Sequence, residues 1–133
     1  SGTRSSDTYR TLPTTNPTAK RLNQTHSEMI SYWGVSLGCG LGVPFVAAEP
    51  RVRAAVLGLG GALASAEAAA RITVPVEFLV QWDDERVPRV QSLELFDALA
   101  STEKTLHANP GKHGEIPAFE LESTLRFFAR HLG

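Results

Sequence analysis

At 133 residues the chain fits one domain with a modest core, and its 42% hydrophobic and 20% charged residues are those of a soluble globular protein. A formal net charge of −1 with no basic run excludes the electrostatic footprint of a nucleic-acid or anionic-membrane binder. No apolar stretch reaches membrane-spanning length, no signal-peptide core appears near the start, and the lone Cys39 cannot form an internal disulfide, so a cytoplasmic protein is expected.

Residues 1–27 read as a polar, largely irregular leader, and 28–133 as the folded domain. The leader is rich in Thr and Ser around Pro13, Asn16 and Pro17, and its large apolar residues are Tyr9, Leu12 and Leu22. That composition buries too little surface to offset its ordering entropy. Ser1-Gly2 reads as a remnant of tag cleavage. From Met29 onward strand and helix patterns alternate, which predicts an α/β fold: a parallel sheet of about four strands with flanking helices. The first strand is expected at about 29–33, followed by a helix from Leu37 to about 48 that Pro44 kinks or that ends its first turn there. Arg53 to Leu59 reads as a buried strand closed by Gly60-Gly61, and Ala62 to Arg71 as a short helix. Val76 to Trp82 is the third strand. Pro88 to Ala100 is a helix with Val90, Leu93, Phe96, Leu99 and Ala100 on one face. Lys104 to Ala108 is a fourth strand. The last helix, about Pro117 to Leu132, carries Ala118, Leu121, Leu125, Phe128 and Leu132 at 3-4-3-4 spacing; that stripe is expected to pack on the sheet, with Glu120, Glu122, Arg126 and Arg130 facing solvent.

The junction between the first strand and first helix holds Gly34-Val35-Ser36-Leu37-Gly38. A serine between two glycines at a strand-to-helix turn is the pattern of a nucleophile elbow. Gly34 and Gly38 are both expected to be required, because a side chain at either would collide with a neighbouring strand or helix. Serine is a poor nucleophile at neutral pH and needs a base oriented by a carboxylate. Asp83-Asp84-Glu85 follows the third strand and Lys112-His113 follows the fourth, and catalytic groups of open parallel sheets gather at such carboxyl ends. The resulting order, Ser36, Asp84, His113, is that of the α/β-hydrolases. The glycines bracketing Lys112-His113 suggest a loop shaped to present a ring. Cys39, one turn into the helix, reads as a small packed residue. His107 in a strand and His131 near a helix C-terminus read as structural, and His26 belongs to the leader. Gly58-Leu59-Gly60-Gly61 lacks the lysine and following Ser/Thr of a phosphate loop and reads as a tight strand end. No His, Cys or carboxylate cluster has metal-ligand spacing in the sequence, so neither a metal nor a cofactor is expected.

Residues 29–133 resemble the C-terminal half of an α/β-hydrolase, nearest to the dienelactone-hydrolase-like branch. The resemblance rests on Tyr-Trp-Gly-Val-Ser-Leu-Gly at 32–38, Ile-Thr-Val-Pro-Val-Glu-Phe-Leu-Val at 72–80, Asp-Asp-Glu-Arg-Val-Pro at 83–88 and Pro-Gly-Lys-His-Gly-Glu at 110–115. In that family the acid stands three residues before a valine-proline pair, which selects Asp84 and leaves Asp83 as a turn or helix-capping residue. Members of the branch often carry cysteine at the elbow, where this chain has Ser36. The resemblance implies a serine hydrolase acting on a small ester or related acyl substrate, with Leu37 N–H as one oxyanion donor. Trp82 and Trp33 are candidates for shaping an acyl pocket. It also implies strands ahead of the elbow strand, two of which pair beside it and supply the second oxyanion donor. The leader stands in their place, so the fold is read as a truncated α/β-hydrolase whose strand at 29–33 forms an apolar edge. The leader, a homodimer partner or a missing segment is expected to cover that edge. The competing expectation is a non-catalytic truncated homologue or fragment that serves binding or assembly.

Overall fold

The computed structural model describes residues 29–61 and 65–132. The leader at 1–27, including His26, therefore lies outside the described residues, as does the start of the helix expected at 62–71. The order of elements is β1 (Ile30–Val35), α1 (Leu37–Ala48), β2 (Val52–Gly58), α2 (Ala66–Ala69), β3 (Val76–Gln81), α3 (Arg89–Ala98), β4 (Lys104–Asn109) and α4 (Phe119–Leu132). The four strands are parallel throughout, in the order β1-β2-β3-β4.

Side-chain alternation along the strands divides the core into two layers. On one face Ala55 and Leu57 of β2 and Val76, Phe78 and Val80 of β3 pack against Cys39, Val43 and Val46 of α1, Ala69 of α2 and Leu95 of α3. On the other face Ala54, Val56 and Leu79 meet Phe127 of α4. The central strands β2 and β3 are buried almost end to end, which is why their sequences read as continuous apolar runs. Helix α1 runs unbroken past Pro44, well beyond its first turn, and closes at Glu49, whose N–H donates to the Phe45 carbonyl at 2.9 Å. Gly58-Leu59 closes β2 as a tight strand end, with Leu59 in the left-handed region at φ 54°. A Cβ on Gly58 would stand 2.3 Å from the Leu79 carbonyl oxygen, so only glycine lets β2 approach β3 here.

Two helices depart in part from their sequence pattern. In α4 the buried residues are Glu120, Thr124 and Phe127, while Leu121 and Leu125 are 66% and 60% exposed and Ala118 faces solvent. Of the expected apolar stripe, Phe128 packs against the core beside Phe127, whereas Ala118, Leu121 and Leu125 do not face the sheet. The sheet explains it: β3 and β4 present Glu77, His107 and Asn109 on the α4 side, where His107 and Asn109 draw Glu120 inward through hydrogen bonds and Glu77 accepts from Ser123. In α3 the expected face packs on the core through Leu93, Phe96 and Leu99, but Val90 is 65% exposed and Ser92 and Leu95 are buried beside that face. Ser92 is drawn in because its Oγ donates to the Gly60 carbonyl at 3.0 Å. Among the described residues of the helix expected over 62–71, α2 is a single turn, Ala66–Ala69.

Among the described residues β1 pairs only with β2, so its other side is an open edge, as expected. Trp33 and Met29 stand 52% and 39% exposed along it.

Candidate active site

Strand β1 delivers Ser36 at its carboxyl end, and α1 begins at the next residue. Ser36 adopts φ 59° and ψ −122°, a conformation that side-chain-bearing residues rarely take. The turn is closed by Ser36 N–H donating to the Gly58 carbonyl at 2.9 Å, and by Cys39 and Gly40 N–H donating back to the Ser36 carbonyl. This strained turn lifts Oγ away from the sheet. Gly34 makes it possible, since a Cβ there would lie 2.5 Å from the Gly38 carbonyl oxygen and 2.7 Å from the Tyr32 ring. Gly38 departs from expectation: a Cβ there meets nothing within 4 Å among the described residues. The crowding falls one turn later, at Gly42, where a Cβ would lie 2.3 Å from the Tyr32 ring. Tyr32 Oη donates to the Gly38 carbonyl at 2.6 Å, so the tyrosine lies across the start of α1.

The loop after β3 carries the carboxylates and the loop after β4 carries His113. Asp84 Oδ2 is 2.8 Å from His113 Nδ1, and His113 Nε2 is 2.8 Å from Ser36 Oγ. An ionised carboxylate only accepts, so Nδ1–H donates to Asp84 and Nε2 is left to accept the serine hydroxyl proton. The Asp84 and His113 side chains are 3% and 11% exposed. Burial pushes the Asp84 pKa up, but hydrogen bonds from Val87 N–H, His113 and Arg86 N–H outweigh it and hold the carboxyl below its ordinary value. The two backbone bonds occupy Oδ1, so Asp84 shapes its own loop and does not cap α3.

Four further side chains hold the histidine loop, and of these the sequence assigns a role only to Asp83. Buried Gln81 donates through Nε2 to the Lys112 carbonyl at 3.0 Å. Glu85 Oε1 accepts the His113 backbone N–H at 2.9 Å, and Glu115 Oε1 accepts that of Lys112 at 2.7 Å. Asp83 stands in a turn, as expected, and adds a clasp: its N–H donates to the Gly111 carbonyl at 3.0 Å while its Oδ2 accepts Gly111 N–H at 3.4 Å. Gly111 takes φ 120°, which shapes the loop as its glycines suggested. The only available signal was polarity at two strand ends, which does not say which residues reach across.

Leu37 N–H has no hydrogen-bond partner among the described residues and opens the first turn of α1. Cys39 is fully buried, and burial raises its thiol pKa to about 11, so it is a packed residue and not a competing nucleophile. Trp82 is partly covered by Arg89, whose guanidinium lies 4.2 Å from the ring centroid. On the α4 side of the sheet, Glu77, His107 and Glu120 gather ligand atoms within 4.8 Å of one another, a grouping that alternate positions on two strands concealed in the sequence.

No family model and no curated protein matches the chain. Among solved structures, the fold is similar to a cold-adapted esterase from an Arctic intertidal metagenomic library, with TM-score 0.75 and 35% identity over 87% of this chain and 56% of the esterase. It is also similar to Paleococcus ferrophilus monoacylglycerol lipase, with TM-score 0.64 and 16% identity over 86% of this chain and 73% of the lipase. A protein described as a predicted CIB-like hydrolase from Thermoplasma acidophilum gives TM-score 0.61 and 17% identity over 86% and 56% of the two chains. The last two likenesses carry the fold alone. The chain spans just over half the length of the esterase it matches.

The four-stranded parallel sheet with its flanking helices is thus a partial α/β-hydrolase fold. Its neighbours in fold are esterases and hydrolases. No helix of the described residues is long and apolar enough to cross a membrane.

Proposed function

We propose that the chain is a serine hydrolase acting on small esters or related acyl compounds, with Ser36 as nucleophile, His113 as general base and acid, and Asp84 as the orienting carboxylate. The observation that carries this reading is the unbroken chain of hydrogen bonds from Ser36 Oγ to His113 Nε2 and from His113 Nδ1 to Asp84 Oδ2, each 2.8 Å. Ser36 Oγ attacks the ester carbonyl while His113 Nε2 takes its proton, and the imidazolium then protonates the departing alkoxide. Water enters by the same route in reverse, giving up a proton to His113 as it attacks the acyl-enzyme, and the carboxylic acid leaves as Ser36 recovers its hydrogen. Asp84 fixes the ring tautomer and stabilises the cation. Leu37 N–H, at the positive end of α1, donates to the developing oxyanion. The esterase likeness at 35% identity supports the substrate class, and the motifs at 83–88 and 110–115 support the dienelactone-hydrolase-like branch. The buried, unreactive cysteine fits a cytoplasmic setting. The open edge of β1 supports a homodimer or a segment outside the described residues as its cover.

A second reading is favoured by one fact: the chain matches only 56% of the esterase, and two oxyanion donors are needed for full rate. In that reading the domain is a non-catalytic homologue serving binding or assembly. Hydrolysis of p-nitrophenyl acetate by wild type and Ser36→Ala separates the two. The enzymatic reading expects activity and fluorophosphonate labelling in wild type and neither in the variant; equal rates would leave only the second.

A further inference from the structure

The polar cluster under α4 has a composition that hydrogen bonding alone does not complete. Glu77 on β3 and Glu120 on α4 are 4% and 3% exposed, and among the described residues neither is paired with a Lys or Arg; the ring of His107 lies between them. His107 Nδ1 is 2.8 Å from Glu120 Oε1, and Glu120 Oε2 accepts from Asn109 Nδ2 at 2.7 Å. The second ring nitrogen, Nε2, faces Glu77 Oε2 at 3.6 Å, beyond hydrogen-bond reach. Glu77 Oε2 accepts from Ser123 Oγ at 3.0 Å, but Glu77 Oε1 is buried with no hydrogen-bond partner among the described residues. A buried carboxylate oxygen without a donor is a costly arrangement that folded proteins rarely keep unfilled.

Three properties of the cluster answer to a cation. One ligand atom from each of Glu77, His107 and Glu120 lies within 4.8 Å of the other two. The 3.6 Å between His107 Nε2 and Glu77 Oε2 is close to the roughly 3.4 Å separating neighbouring ligands on a tetrahedral ion with bonds of about 2.0–2.1 Å. A dication with two carboxylates and a neutral imidazole sums to no net charge, which removes the burden of burying two anions. Nδ1–H donates to Glu120 Oε1 in the ion-free cluster, so on loading Glu120 exchanges that bond for the ion while Nε2, which faces Glu77, supplies the imidazole ligand. Asn109 and Ser123 orient the two carboxylates.

We propose that Glu77, His107 and Glu120 hold one divalent cation of the zinc, cobalt and manganese class, which fastens α4 to β3 and β4. One imidazole with two carboxylates suits such borderline ions better than the all-oxygen preference of calcium or magnesium. Glu77 lies four residues before Gln81 on β3, about 13 Å along the strand from the rim that carries Asp84. The ion's role is therefore structural and independent of Ser36.

The test uses the full 133-residue chain, stripped with chelator and titrated with zinc chloride or cobalt chloride alone. One equivalent of zinc should bind, raise the melting midpoint by about 5 °C or more at saturation, and bind about 100-fold more weakly in Glu77→Gln and His107→Gln. Glu77→Gln keeps side-chain volume and a carbonyl for Ser123, and circular dichroism reports whether it folds. Zinc-edge X-ray absorption on the wild type needs no variant and should show only N/O ligands with one imidazole. Absence of saturable binding, affinity unchanged in both variants, or a shell containing sulfur or several imidazoles would each overturn the proposal.

Discussion

The backbone N–H of His113 donates to Glu85 Oε1 at 2.9 Å, while the ring of the same histidine donates to Asp84, the residue before Glu85. Two consecutive carboxylates thus grip one residue at two points, one fixing the chain and the other the imidazole. The His113 N–H is the leading cause holding the Glu85 carboxyl below its usual range. Under the proposed hydrolase reading, Glu85 positions His113 and acts on Ser36 only through it. Glu85→Ala should lower kcat for p-nitrophenyl acetate by up to about tenfold with little change in KM, because the ring drifts from its productive place. Glu85→Gln keeps an acceptor oxygen and should restore most of the rate. An alanine variant with wild-type kcat would remove Glu85 from the site.

The two elbow glycines, alike in sequence, should respond in opposite directions to the same change. Gly34→Ala drives a methyl to within 2.5 Å of the Gly38 carbonyl oxygen, a backbone atom that cannot step aside without shifting α1. Overpacking of this kind costs about 1–3 kcal/mol. Gly38→Ala places its methyl in open space at the start of α1. Alanine is the better helix former by about 0.5–1 kcal/mol, so that variant should hold or gain stability. Urea unfolding of both, compared at constant m-value, checks the pair. A larger loss for Gly38→Ala would mean that the contacts assigned to the turn are wrong.

The order of elements was legible because burial wrote it into composition: Ala54 to Leu57 and Phe78 to Val80 are apolar runs that only a doubly covered parallel sheet explains. The convergence of Ser36, Asp84 and His113 was legible because all three follow strand ends, where a parallel sheet leaves one rim. The facing of α4 was not. Its leucines mark the stripe a helix would bury on an apolar sheet, yet the sheet beneath it offers Glu77, His107 and Asn109, and Glu120 follows them inward. Periodicity reads one element at a time, whereas that choice depends on side chains from two strands and a helix together. The Gln81–Lys112 and Glu85–His113 bonds were hidden for the same reason, since each joins loops brought together only by the closed sheet.

The acid limb of stability should carry the signature of Asp84. Its carboxyl is held below the ordinary 3.8 in the folded chain: burial opposes this, and the donors Val87 N–H, His113 and Arg86 N–H more than compensate. A folded-state pKa below the unfolded value of about 3.9 means the fold prefers the ionised form. The resulting stabilisation is fully present above about pH 4 and fades as pH falls through the folded value, where the carboxyl takes up its proton. Asp84→Asn imitates the protonated state at every pH, for its amide oxygen still accepts from the loop N–H groups but its Nδ2 cannot accept from His113. The melting midpoint of the variant should therefore lie below that of the wild type at pH 6, and the gap should close as pH falls from the unfolded value through the lower folded one. Thermal unfolding followed by circular dichroism from pH 2 to 7 reads this directly. A gap of constant width across that range would show that Asp84 stabilises the loop by its shape alone, with its charge and the imidazole contact contributing nothing.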